Sequence, residues 1–420
     1  MSTHRATLAN GLELIVAELP GARVCTAQLF ARVGSREDPP ERSGLAHFVE
    51  HLLFRGCERF PSESELSSHV GSFGGRANGW TSFDATVLLI QARPRHLASA
   101  VSALAEMVRH PLLHGLEVER RVVMDERLHA ADDEAAHLMS RDERGVQYAW
   151  GAHAHYRHSP LGSARSIAAL TEADVRAHLQ RYFVGKNLAL VVAGPHPLDE
   201  VLTAARPLES LAPGLPHFRT GVPAPRKGAV HFEVPSRRGE LRFLFPFLRE
   251  RADMAPRTIV DELLGSGVSG RLHRALRSRR GLAYACRAQL RSWSAFGLQL
   301  IDVEASPENT IACAEEVVAT VRDLRDRGPD DAELTMAREC MLRVSDELIQ
   351  DPLQHAWHLG AKWIEENRST LESDLHAIER VTGDDVRELT ATLFAPGAGH
   401  LAFSGNQAHQ RALARALAAL

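Results

Sequence analysis

The chain has 420 residues, a formal net charge of −4, and 44% hydrophobic and 24% charged residues. That length exceeds what one hydrophobic core usually serves, so two domains of similar size are expected, with the composition of an ordinary soluble globular protein. The weakly acidic balance offers no basic footprint, and nucleic acid is not an expected partner.

Met1 to Asn10 is polar and runs into Gly11-Leu12-Glu13-Leu14-Ile15-Val16. With no charged start leading to an apolar core and a cleavage site, no signal peptide is expected. No stretch approaches about 18 uninterrupted apolar residues, so no membrane partner is expected either. The five cysteines, Cys25, Cys57, Cys286, Cys313 and Cys340, are scattered and odd in number. They read as reduced thiols of a cytoplasmic protein.

Strands are predicted over 12–17 and 25–33. The next stretch, Gly44 to Gly56, reads G-L-A-H-F-V-E-H-L-L-F-R-G and has no helix breaker between Leu45 and Arg55. On the helix this predicts, residues four apart share a face, so His47 and His51 can bind one metal ion with Glu50 beside it. The order H-x-x-E-H is an inverted zinc motif, the geometry of a zinc-dependent hydrolase. A helix over 62–70 follows, then a turn at Gly74-Gly75. Asn78-Gly79 reads as a turn feeding a β-rich segment that runs through Trp80 and Thr81 to Ile90. Helices are predicted over 96–109 and 116–131, then a long, mostly helical segment up to the helix-start signal Thr171-Glu172-Ala173-Asp174. A strand over 188–193 and Gly194 close this half.

Residues 207–228 hold five prolines and three glycines and read as a linker between domains at 1–206 and 229–420. Adding 211 carries Thr171 to Thr382, Asp174-Val175-Arg176 to Asp385-Val386-Arg387, Phe183 to Phe394, Leu190 to Leu401 and Gly194 to Gly405 without a gap. The second half therefore repeats the first. The same offset puts Thr258 and Glu262 at the two imidazole positions. Those residues cannot replace two neutral imidazoles, so one metal per chain is expected.

A catalytic zinc usually takes three protein ligands and keeps a position for water. In Glu119-Arg120-Arg121-Val122-Val123-Met124-Asp125-Glu126-Arg127, both Glu119 and Glu126 are available, seven apart and on one helix face.

The segment G-L-A-H-F-V-E-H-L-L-F-R-G, with E-R-R-V-V-M-D-E-R about 75 positions later, resembles the insulinase, pitrilysin and mitochondrial-processing-peptidase family of zinc peptidases. The resemblance implies that Glu126 completes the Zn2+ site and that Glu119 supports it from behind. Gly74-Gly75-Arg76-Ala77-Asn78-Gly79-Trp80-Thr81 is similar to the family's G-G-x-x-N-A-x-T segment, with Gly79 where Ala is usual. This implies an edge strand that pairs with the peptide substrate, Asn78, Gly79, Trp80 and Thr81 being the candidate contacts. Trp80 lines a side-chain pocket or belongs to the core.

In the second half, Gly265-Ser266-Gly267-Val268-Ser269-Gly270-Arg271-Leu272 through Arg277 to Gly281-Leu282-Ala283-Tyr284 resembles a second family segment. Tyr284 falls at the residue that stabilises the oxyanion, and Arg277 at the one that holds the substrate backbone. The other arginines nearby, Arg271, Arg274, Arg279 and Arg280, read as a solvated helix face. The stretch Ser159-Pro160-Leu161-Gly162-Ser163 is shorter than its family counterpart, which leaves local substrate contacts open.

The implied fold is α+β: two duplicated α/β domains, each a mostly antiparallel sheet packed with helices, forming one half of a clam-shell chamber. The implied function is that of a zinc metalloendopeptidase hydrolysing short or unfolded peptides inside that chamber, with Glu50 as general base. Its expected partner is a second copy, in a homodimer with composite sites. The alternatives are a dedicated precursor- or leader-peptide processing peptidase and a catalytically silent structural member of the family.

Overall fold

The computed structural model describes residues 2–136, 142–217, 221–249, 254–265 and 267–420; Ser266 of the second-half segment lies outside them. The elements of the first half are β1 (Ser2–Thr7), β2 (Glu13–Glu18), β3 (Cys25–Ala31), α1 (Leu45–Phe54), α2 (Glu63–Ser72), β4 (Arg76–Thr81), β5 (Thr86–Ala92), α3 (Leu97–Arg109), α4 (Leu116–Ala136), α5 (Asp142–Trp150), α6 (Ala164–Ala169), α7 (Glu172–Tyr182), β6 (Leu188–Gly194) and α8 (Leu198–Ala205). Those of the second half are β7 (Val230–Phe232), β8 (Gly239–Leu248), α9 (Met254–Gly265), α10 (Arg271–His273) continued by a π-helical turn (Arg274–Arg279), β9 (Ala283–Ser292), β10 (Phe296–Ala305), α11 (Thr310–Arg327), α12 (Asp331–Gln350), α13 (Pro352–Ile364), α14 (Leu371–Glu379), α15 (Gly383–Leu393), β11 (His400–Ser404) and α16 (Gln410–Ala418).

The chain forms two units, each discontinuous in sequence. The first comprises Met1–Leu128, Ala154–Thr220 and Asp346–Thr370; the second comprises His129–His153, Gly221–Ser345 and Leu371–Leu420. A division into 1–206 and 229–420 therefore differs from the packing at two exchanged segments, 129–153 and 346–370. α13, from the second half, belongs to the first unit, and α5, from the first half, belongs to the second. The offset of 211 carries Asp142 to Leu353, so the two exchanged helices occupy the same place in the repeat. An apolar helix face specifies that it must be covered, not which sheet covers it.

The first unit holds a six-stranded sheet in the order β1-β2-β6-β3-β5-β4. β2 and β6 run parallel and the other neighbours antiparallel. Every residue of β3 and β6 is buried, as their near-continuous apolar runs require of strands covered on both faces. On one face Leu14, Leu29, Leu88 and Leu190 pack with α1 and α3. On the other, Ile15, Phe30, Val87 and Val191 pack with Ala356, Leu359 and Trp363 of α13.

The second unit holds a five-stranded sheet in the order β7-β11-β8-β10-β9. It repeats the first from β2 onward, including the parallel pair at its start. Thr171 and Thr382 cap α7 and α15 alike, each hydroxyl accepting the N–H of an aspartate three residues on. The expectation of a duplicated α+β unit is met in both sheets.

Two local readings differ from the structure. Asn78-Gly79 lies inside β4, paired with Leu89 and Leu88, and the chain reverses at 82–85 instead. Pairing along the whole of β5 overrides the local turn preference of Asn-Gly. The polar segment Ser2–Thr7, with no apolar alternation to announce it, is an edge strand held by its register with Glu13–Glu18.

Candidate metal centre

The helix α1 buries Leu45, Phe48, Val49, Leu52 and Leu53, each contributing about 1.5–3 kcal/mol relative to an exposed side chain. That packing carries His47 and Glu50 to 7% exposure each, a burial that polar groups tolerate only with partners. Gly44 starts the helix at φ 91° and offers no side chain to cap it. The buried Asp38 does so from six residues earlier, accepting the N–H of Gly44 on Oδ2 at 2.8 Å and of Ala46 on Oδ1 at 3.0 Å. Burial pushes its carboxyl well above the ordinary range, against the pull of those N–H groups.

The short stretch 159–163 packs against the start of the same helix. Gly162, at φ +69°, lies so close that an added Cβ would collide with Ser43 O. Its carbonyl accepts from Arg127 Nε at 3.0 Å, next to Glu126 on α4. This loop thus joins the start of the histidine helix to the helix that carries the acidic residues. Arg120 strengthens the same junction by donating to the carbonyls of Ile167 and Leu170.

His47 Nε2 lies 3.6 Å and His51 Nε2 3.3 Å from the same oxygen, Glu126 Oε2. The ligand atoms of these three residues all fall within 4.8 Å of one another. A tetrahedral zinc with bonds of about 2.1 Å needs ligand atoms about 3.4 Å apart, so the set fits that ion. Behind it, His51 Nδ1 lies 3.1 Å from Glu119 Oε2, and Glu119 Oε1 lies 3.4 Å from Arg55 Nη1. A proton on Nδ1 donated to Glu119 leaves Nε2 as the free electron pair, the tautomer a metal requires.

The charges favour a cation at this point. Burial, and then the neighbouring His51, bring His47 down to about 4, so it is a neutral imidazole. Burial also lowers His51, but hydrogen bonds to Glu119 and then Glu126 outweigh it and push the ring up to about 9. The hydrogen bond to His51 holds Glu126 below its usual range, and burial raises Glu50 to about 7. Carboxylates crowd around two imidazoles, an arrangement that a divalent cation neutralises better than one proton does.

Glu50 projects toward β4, the outer strand of its sheet. Thr81 Oγ1 donates to Glu50 Oε2 at 2.7 Å, and Ala77, Gly79 and Thr81 share that side of the pleat. Trp80 points the other way. Its ring lies 3.9 Å from that of Trp357 and 6.2 Å from that of Phe30, on the face that α13 covers. The pocket reading of Trp80 gives way to the core reading, because alternate residues of a strand face opposite sides. Asn78 is exposed on the strand.

Arg277 and Tyr284 belong to the second unit, where the guanidinium carbon lies 6.0 Å from the centre of the ring and Tyr284 is 77% exposed. Arg277 stands in the π-helical turn, whose counterpart in the first half, within α2, is an ordinary α-helix. The solvated-face reading fails for Arg271, whose guanidinium meets Glu333 at 2.5 Å and Asp323 at 3.2 Å and donates to Gly328 O. Among the described residues His47, His51 and Glu126 form the one cluster able to hold a metal. The residues at the imidazole positions of α9 are Thr258 and Glu262.

Comparison with known proteins agrees with this division. The family profile described as Insulinase (Peptidase family M16) matches residues 14–149. The profile described as Peptidase M16 inactive domain matches 169–341. An uncharacterised zinc protease of Streptomyces coelicolor is 26% identical over 316 residues, 71% of this chain and 66% of that protein. Coenzyme PQQ synthesis protein F of Pseudomonas putida is 30% identical over 327 residues, 76% of this chain. The chain thus spans 66% and 40% of the lengths of these two relatives. The solved structure of the periplasmic protease PqqL from Escherichia coli matches with a TM-score of 0.81 at 18% identity, covering 99% of this chain and 50% of that one. Among the described residues no helix is long and apolar enough to cross a membrane.

Proposed function

The chain belongs to the insulinase family, peptidase family M16, and from that we propose that it is a zinc-dependent endopeptidase acting on short or unfolded peptides. The observation that carries this reading is the convergence of His47, His51 and Glu126 on one point, with the buried Glu50 on the same helix.

His47, His51 and Glu126 would hold the metal, and Glu119 would fix the tautomer of His51. The chemistry such an ion would supply is acidification of a water toward a pKa of about 7 and Lewis-acid polarisation of the scissile carbonyl. Glu50 takes the proton from the attacking water and returns it to the leaving amine. The outer edge of β4 offers its backbone to an extended peptide, which suits unfolded substrates because a folded one has no free strand to add. Tyr284 and Arg277 stabilise the oxyanion and hold the substrate backbone, and a second copy supplies them. The exposed tyrosine with its neighbouring guanidinium is the feature that favours this last step.

The test is digestion of a mixed peptide library by wild type and Glu50→Gln, read by mass spectrometry. Wild type should generate new termini and the variant should not, a loss of about 100-fold or more in rate. Equal cleavage by both would remove Glu50 from its role.

A second reading, dedicated processing of one precursor or leader peptide, draws on the 30% identity to a protein named for coenzyme PQQ synthesis. The same digestion separates the two: a general peptidase cuts many library members, and a dedicated one few or none outside its own precursor.

A further inference from the structure

Two residues of β4 act on opposite oxygens of the Glu50 carboxylate. Thr81 Oγ1 donates to Oε2 at 2.7 Å, the short distance of a hydroxyl bonded to a carboxylate. At Gly79 an added Cβ would lie 2.7 Å from Oε1 and 2.8 Å from Phe54 Cε2, so the missing side chain is the space that Oε1 occupies. The terminal torsion of a glutamate is broad and roughly two-fold. A hydrogen bond on one oxygen and an opening for the other select one orientation from that range.

We propose that Thr81 is a positioning residue for Glu50, fixing the rotation of its carboxylate so that Oε1 remains free to take a proton. The inference rests on the reading of Glu50 as the base. It changes what β4 does: the strand whose outer edge suits a peptide also seats the base with its inward side chains. Thr81 accordingly acts on the chemical step and is not a subsite for substrate.

The two roles separate kinetically, because loss of an interaction made only in the transition state lowers kcat, whereas loss of uniform substrate binding raises KM. The experiment compares steady-state peptide hydrolysis and zinc per chain for wild type, Thr81→Val, Thr81→Ala, Thr81→Ser and Glu50→Gln. Alanine keeps the test decisive should the second methyl of valine disturb the strand. The expected result is unchanged zinc content in all, kcat lowered about 10–100-fold in Thr81→Val and Thr81→Ala with KM within about threefold of wild type, and most of kcat regained in Thr81→Ser. A raised KM at unchanged kcat would overturn the proposal in favour of a substrate contact, and unchanged kcat and KM would overturn it outright. Full activity in Glu50→Gln would instead remove the base itself, a failure distinguishable from either.

Discussion

His51 is held at both nitrogens of its ring. One ring nitrogen faces Glu126 at 3.3 Å, the other faces Glu119 at 3.1 Å, and Arg55 holds the far oxygen of Glu119 at 3.4 Å. Replacing Glu119 by glutamine keeps the shape but lets the amide present N–H instead of an acceptor, which releases the tautomer. Zinc affinity should fall about 10–100-fold, measured by competition with a chelating indicator; unchanged affinity would mean that Glu119 is only a neighbour. The ligand pair could be read from sequence because spacing on one helix fixes a shared face. Asp38, Arg55 and Gly162 could not, since each acts through a contact that only the folded chain creates. Trp80 shows the same limit, because its side of the sheet depends on a register that the residues 78–81 do not state.

At the scale of the element, α1 and α9 are one helix built twice. Asp261 of α9 stands where Glu50 stands in α1, but it is committed to its own unit, accepting from Gln299 Nε2 at 2.6 Å. Burial raises its pKa to about 6, with the Gln299 hydrogen bond pulling the other way. A carboxyl raised in the native state binds its proton more tightly there than in the unfolded chain. Its contribution to stability is complete below the unfolded value and is lost as pH rises through about 6. The loss amounts to about 3 kcal/mol at most. Asp261→Asn should therefore flatten this part of the pH profile and gain on wild type in urea unfolding at pH 8 relative to pH 4. Parallel profiles for the two proteins would contradict the assignment. The repeat itself was readable because the offset runs through the capped helices α7 and α15 and the strands β6 and β11 without a gap. The exchange of α5 and α13 was not, because an amphipathic helix carries no address.

For the whole molecule, the duplication separates a half with metal ligands from a half that, among the described residues, has none. The proposed partnership between copies makes a definite prediction. Glu50→Gln and Arg277→Ala proteins should each be inactive alone, and after subunit exchange an equal mixture should regain about a quarter of wild-type activity, since half the dimers then hold one intact site of two. Demonstrated exchange with no recovery would contradict sharing of sites between copies.

One hydrolytic zinc centre per chain, built by His47, His51 and Glu126, is tested most directly by elemental analysis of purified protein. About one zinc per chain is expected in wild type and in Glu50→Gln, and loss of that zinc in His47→Ala and Glu126→Ala, while all four stay folded. Wild type free of zinc after purification with zinc present, or full zinc retained in His47→Ala, would contradict it.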